Sequence, residues 1–428
     1  MPNFVSTFRE IEKTLCVKSD KKFSHMVCPV DAYSTPIHNW YRFKEGYSPN
    51  LLKALLQQFR VTKPIRILDP FSGSGTTLLS AGLDPSINVE YGIGYEVNPF
   101  ISFMSKTKLH AFKLNTSLAE SFLLKVSTYN LNKDITEDQI PTLSTVKKAF
   151  SPLTLTRLIN LKDLIKTTFI EGSYERDFFL LAMASILEDV SIMKKSGRAL
   201  KIFKPMKDHD VITIFLTKAT QMITDVKQMK KHKLDKLTII NEDVRQLSDT
   251  GKQYNIVLFS PPYLNNFDYT EVYKLELWML DFINNRDDFR ELRRKTMRSH
   301  PSLKFEKTNI YTQYNSTRIA ELISSMEAST NQETFYTTIH GYIDDMYQLF
   351  NGLNRTTSDD VIIVCVVANS LFGSVKQNNL APIATDLLIS EIARDVGFRN
   401  IELKIARRVS RRGVTFPFSR VSLLIFIR

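Results

Sequence analysis

A hydroxyl, two prolines and an aromatic ring stand in a row at Ser260, Pro261, Pro262 and Tyr263, directly after the apolar run IVLF (Ile256 to Phe259). Neither proline has an N–H for a sheet ladder, so a strand must end there and hand over to a stiff turn. The turn offers a serine oxygen and a fixed carbonyl as hydrogen-bond acceptors, and a ring face for stacking. Taken alone, it also reads as a strand-ending turn with a packed tyrosine. A second group lies upstream. DPFSGSGTT (Asp69 to Thr77) carries Gly73 and Gly75, which permit positive φ and close approach of a ligand to the backbone. Glu96 follows roughly twenty residues on, where an acid can accept hydrogen bonds from ribose hydroxyls in an open α/β fold. The turn lacks the Lys-Ser/Thr of a phosphate-binding P-loop and the third glycine of the dinucleotide fingerprint. A nucleoside ligand without a pyrophosphate fits it better.

Positioning these groups takes strands. IRILDPF (Ile65 to Phe71), VEYGIGYEVNP (Val89 to Pro99), KLTIINED (Lys236 to Asp243), YNIVLF and DVIIVCVVANS read as buried strands. Helical spacing is evident in Leu51 to Phe59, Glu175 to Met193, Asp268 to Ile283, Tyr336 to Asn354 and Ala381 to Phe398. The alternation predicts an open α/β sheet. IELKIARRV and RVSLLIFIR follow without an intervening helix, which predicts an antiparallel pair at one edge. About Phe103 to Lys236 is mainly helical in pattern, and residues 1–37 read as an N-terminal arm or cap.

The chain has 428 residues, 43% hydrophobic and 24% charged, with a formal net charge of +12. These are the proportions of a globular protein of two or three domains. The excess of lysine and arginine suits a polyanionic partner, most simply nucleic acid. No apolar run is long enough to span a bilayer and no signal peptide is evident, so a cytoplasmic protein is expected. Cys16, Cys28 and Cys365 form no CxxC pair and no zinc spacing, so no metal site is expected.

DPFSGSGTT followed by SPPY resembles the S-adenosylmethionine-dependent DNA amino-methyltransferases. HNWYRFKEGYSP (His38 to Pro49) resembles the family's segment ahead of the cofactor loop, and NEDVRQL (Asn241 to Leu247) its adenine-binding strand end. The resemblance covers about residues 38–100 and 237–428, and implies a Rossmann-like class I methyltransferase sheet with antiparallel edge strands and a large helical insertion. It divides the chain into the arm 1–37, a catalytic domain of 38–102 and 237–428, and the insertion 103–236 as a candidate target-recognition region. Carried over by position, Asp69, Pro70, Phe71, Ser72, Gly73, Gly75 and Thr76 would hold the methionine moiety, and Glu96 the ribose. Asp243 would accept from the adenine amine, or serve only as a helix N-cap. Tyr41, Phe43 and Lys44 would line the cofactor's outer side, or simply pack.

The implied chemistry suits the residues. An exocyclic base amine is a poor nucleophile because its lone pair is delocalised into the ring. The Ser260 hydroxyl and the Pro261 carbonyl, stiffened by Pro262, can accept its two N–H bonds and turn the lone pair toward the methyl group. Tyr263 offers a face to a base flipped out of the duplex. Ring-carbon methylation needs a cysteine nucleophile, and none of the three is suitably placed. Within the family, serine before the two prolines points to cytosine-N4 rather than adenine-N6. The expected partners are double-stranded DNA and a cognate restriction endonuclease. The alternatives are an adenine-N6 enzyme, an RNA amino-methyltransferase and a non-catalytic DNA-binding specificity subunit. Target recognition is expected within the helical insertion, around VSIMKKSGRALKIFK, or in the basic segment from about Asn284 to Glu333. ARRVSRRGVTF (Ala406 to Phe416) is expected to add a basic hairpin. The family's final strand often opens Arg-Glu-Ser, whereas this one reads Arg420-Val421-Ser422.

Overall fold

The computed structural model describes residues 4–428 apart from 198, 204, 231, 248–250, 266, 302–304, 306–307, 330–332, 373–379 and 411–415. In chain order its strands are β1 (Cys16–Ser19), β2 (Ile65–Asp69), β3 (Val89–Tyr95), β4 (Met193–Ser196), β5 (Ala199–Ile202) and β6 (Leu237–Ile240). They continue with β7 (Tyr254–Phe259), β8 (Thr357–Ala368), β9 (Ser370–Phe372), β10 (Ala381–Ile383), β11 (Asn400–Arg408) and β12 (Arg420–Ile427).

Eight of them form one sheet in the order β1-β11-β12-β8-β7-β2-β3-β6. The run from β8 through β7, β2 and β3 to β6 is parallel. β12 is antiparallel to both β8 and β11. This is the expected Rossmann-like α/β sheet with antiparallel strands toward one edge and a large helical insertion. The edge itself differs in detail: β1 pairs parallel with β11, so the closing pair lies one strand in.

Helices cover both faces, which is why β7 is buried along its whole length. Its alternating side chains feed two cores. Ile256 and Leu258 join the cluster that runs into the helical insertion. Val257 and Phe259 join the cluster beneath the C-terminal helices. Between β3 and β6 the chain forms Pro99–Leu109, Thr116–Thr128, Ser144–Ala149, Pro152–Thr168, Tyr174–Ile186 and Val211–Lys227 as helices. The β4–β5 hairpin interrupts this run, turning at Gly197 with φ 59°.

Two expected helices are divided. Asp268 to Ile283 is two short helices, Tyr269–Val272 and Lys274–Met279. Ala381 to Phe398 opens with β10, and its helix is Thr385–Asp395. Pro382 biases the residue before it toward extended backbone, and β10 pairs with β9 instead. The expected basic hairpin over Ala406 to Phe416 falls partly on 411–415, outside the described residues. Among the described residues no helix is long and apolar enough to cross a membrane.

Candidate active site

At the carboxyl ends of β2, β3, β6 and β7 lies a cleft of about 680 Å³, counting the space at its open mouth. β2 ends at Asp69, which is buried and is not among the lining residues. The carboxylate accepts the Phe71 N–H at 3.1 Å through Oδ1 and the Thr77 hydroxyl at 2.5 Å through Oδ2. Asp69 thereby ties the glycine turn to the start of helix Thr76–Leu83. Burial pushes its pKa up to about 7, against the lowering effect of these hydrogen bonds.

The turn has the geometry its glycines suggest, with φ of 51° at Gly73 and 80° at Gly75. A Cβ on Gly73 would meet the Phe43 ring at 3.2 Å. Pro70, Phe71 and Gly73 line the cleft. Ser72, Gly75 and Thr76 are not among the lining residues; Gly75 is the N-cap of the following helix, and Ser74 and Thr76 pair through their hydroxyls at 3.1 Å.

Glu96 follows β3 and also lines the cleft. Its Oε2 accepts the Gly73 N–H at 3.2 Å and its Oε1 the Asn98 N–H at 2.8 Å. Burial raises its pKa to about 7, and the nearby Asp69 adds to the shift. Glu96 therefore links two strand ends while one flank faces the cleft. A carboxylate beside a glycine backbone in a largely apolar cleft suits a ribose and an uncharged base. This donor and acceptor set fits a nucleoside cofactor.

β7 delivers the SPPY turn to the same cleft, where Ser260 and Pro262 are lining residues. Ser260 Oγ lies 3.0 Å from the Val366 carbonyl on β8 and 3.2 Å from the Tyr263 hydroxyl. The one serine proton has two acceptors within reach, the Val366 carbonyl and the Tyr263 oxygen. Whichever acceptor takes that proton, the serine oxygen keeps a lone pair able to accept. Pro261 is buried.

β6 leads to Asp243, a lining residue whose carboxylate accepts the Arg245 N–H at 3.0 Å and caps the turn Val244–Gln246. It also pairs with the Arg245 guanidinium at 2.6 Å. Asp243 thus caps this turn while facing the cleft.

The segment before the cofactor turn divides. Phe43 lines the cleft, stacked on Tyr273 with centroids 5.7 Å apart. Tyr41 and Lys44 are not among the lining residues. Tyr41 donates to Glu276 at 2.6 Å, and Lys44 donates to the Lys195 carbonyl at 2.8 Å. Sequence reasoning passed over Glu45, Tyr269, Lys295, Thr296 and Met297, all of which line the cleft. Glu45 sits inside the quoted HNWYRFKEGYSP, Tyr269 in an expected helix, and Lys295 to Met297 in the basic segment expected to recognise the target. Glu45 accepts the Tyr273 hydroxyl at 2.6 Å, and burial raises its pKa.

No family model matches the chain. It is 25% identical to the type II methyltransferase M.BsoBI of Geobacillus stearothermophilus, over 90% of this chain and 86% of that protein. It is 24% identical to the type II methyltransferase M.AvaI of Nostoc sp., over 86% of this chain and 80% of that protein. Among solved structures, the rRNA methyltransferase aviRa of Streptomyces viridochromogenes aligns over 94% of this chain and 92% of that one, at 10% identity and a TM-score of 0.30. The chain is a distant relative of type II methyltransferases.

Proposed function

We propose that the protein is an S-adenosylmethionine-dependent DNA methyltransferase that modifies the exocyclic N4 amine of a cytosine flipped out of the duplex. The observation that carries this reading is the placement of Ser260: its hydroxyl oxygen, which can accept a hydrogen bond, lines the cleft that also holds Gly73 and Glu96. S-adenosylmethionine supplies an electrophilic methyl group. The residues of this chain do the rest. Glu96 accepts from the ribose hydroxyls, Asp243 faces the adenine end, and Pro70, Phe71 and Gly73 border the methionine end. Ser260 Oγ and the Pro261 carbonyl accept the two amine N–H bonds and free the nitrogen lone pair for attack. Tyr263 supplies a stacking face for the flipped base. After transfer the extra proton leaves the nitrogen for solvent. The similarity to two type II methyltransferases supports DNA as the substrate and a restriction endonuclease as the cognate partner, acting in the cytoplasm.

The test is incubation with unmethylated genomic DNA and S-adenosylmethionine, then digestion and mass spectrometry of the nucleosides. The expected product is 4-methylcytosine. Finding 6-methyladenine alone overturns the choice of base, and finding no methylated base overturns methyl transfer to DNA. In the same assay Ser260→Ala should lose about 10²-fold in rate while still binding the cofactor. Full activity in that variant would remove Ser260 from the mechanism.

A further inference from the structure

The β4–β5 hairpin is joined to the cleft at both of its strands. From β4, the Lys195 side chain is buried and its ammonium meets Glu276 and the Tyr41 hydroxyl, each at 2.5 Å. The same ammonium lies 5.0 Å from the Tyr41 ring centroid and 4.6 Å from that of Tyr273. The Lys195 carbonyl accepts from Lys44, next to Phe43 and Glu45 of the cleft wall. β5 packs against helix Tyr269–Val272, the first helix after SPPY, and its Tyr269 lines the cleft. A charge as well satisfied and as deeply placed as Lys195 fixes the hairpin beside the reacting groups.

The hairpin's outer surface has a composition that folding alone does not explain. Ile202, Phe203 and Met206 are 66%, 57% and 50% exposed. The three fall within five consecutive positions. Lys194, Lys201 and Lys207 are exposed around them. Apolar side chains set among lysines match a nucleic-acid groove bordered by phosphates better than the surface of an acidic protein. The overall charge of +12 points the same way.

We infer that the β4–β5 hairpin and the following segment to Lys207 grip the DNA duplex next to the flipped base. Lys194, Lys201 and Lys207 contact phosphates, and Ile202, Phe203 and Met206 press into the groove. This rests on the proposed function for the identity of the duplex, and it names the surface that would hold it. Tyr41 and Lys44 then serve as the hairpin's mounting on the cleft wall.

The test measures equilibrium binding of the full chain to a mixed-sequence genomic duplex over a range of salt, with S-adenosylmethionine binding by calorimetry as the control for folding. The triple variant K194A/K201A/K207A should bind duplex at least ~10-fold more weakly and show a salt slope shallower by roughly 2–3. I202A/F203A should weaken duplex binding several-fold with the salt slope unchanged. Both should bind the cofactor as the parent does. If both variants bind duplex with the parent's affinity and slope, the inference is overturned and the hairpin's apolar surface belongs to another partner. If the parent binds duplex through these residues yet methylates no base, the proposed function falls and the inference stands.

Discussion

At the residue scale the unusual feature is a pair of acids without a cation, Asp69 buried and Glu96 half-buried at the cleft. Asp69 and Glu96 both accept only neutral N–H and O–H donors among their described hydrogen bonds, and burial lifts both to about 7. Of the two, Glu96 lines the cleft, and an acid of raised pKa there marks a site that trades stability for function. The consequence for pH has two opposite signs. Between the ordinary value of 4.5 and about 7, folded Glu96 holds a proton that the unfolded chain has released. Its contribution to stability is therefore full below the ordinary value and is lost as pH rises through 7. Ribose binding runs the other way, because the ionised carboxylate is the stronger acceptor. Cofactor affinity should fall as pH drops below 7, approaching tenfold per unit, while Glu96's own contribution to stability rises. Calorimetric titrations and thermal melts between pH 5.5 and 8.5, on the parent and on Glu96→Gln, separate the two. A variant whose affinity and melting temperature keep the parent's full pH dependence would remove Glu96 from both effects.

At the scale of elements, one carboxylate on the long helix Glu333–Thr356 sets the far wall of the cleft. Asp345, fully buried, accepts the Arg298 N–H at 2.7 Å and its guanidinium at 2.6 and 2.9 Å. It also accepts Arg245 at 3.1 Å, and Arg245 reaches both Asp243 and the Lys295 carbonyl. Asp345 thus fixes Asp243 on one side and Lys295 to Met297 on the other. Asp345→Ala takes the carboxylate from the Arg298 guanidinium and leaves Arg245 with Asp243 and the Lys295 carbonyl, and should cost about 3–5 kcal/mol, read as a lower denaturant midpoint. Cofactor binding should weaken along with it, whereas unchanged affinity would mean the wall holds itself. Nothing in the sequence singles out Asp345, because its partners lie 47 and 100 positions away. What sequence does carry is local. The runs IRILD, VEYGIGY and YNIVLF announce themselves as strands because parallel central strands are apolar on both faces. The hairpin MKKSGRALKI hides in a helical context because its lysines face both core and solvent. β1 hides because CVKS has an exposed burial pattern and gains its place only through β11.

At the scale of the whole molecule, residues 4–19 belong to the architecture of the sheet's far edge, where an arm or cap was expected. Helix Phe4–Lys13 buries Phe4, Val5, Phe8 and Ile11. It packs against helices Thr317–Ser329 and Thr385–Asp395, and β1 then lies along β11. Glu12 pairs with Arg420 at the start of β12. Arg420 and Ser422 also converge on buried Asp386, at 2.7 and 2.8 Å. The residues flanking Val421 therefore join the N-terminal helix, helix Thr385–Asp395 and β12 in one network. Removing residues 1–19 would expose four buried apolar side chains, at about 1.5–3 kcal/mol each as an upper estimate. It would also leave the buried Arg420 with one of its two ion pairs and uncover the β11 edge. The sum is comparable to the whole stability of a typical domain, about 5–15 kcal/mol. The truncated chain should accumulate as aggregate, or melt more than about 10 °C below the parent. Because the cleft lies on the other side of β7, any truncated protein that stays folded should still bind S-adenosylmethionine. A truncated chain with the parent's melting temperature would show that this edge is dispensable to the fold.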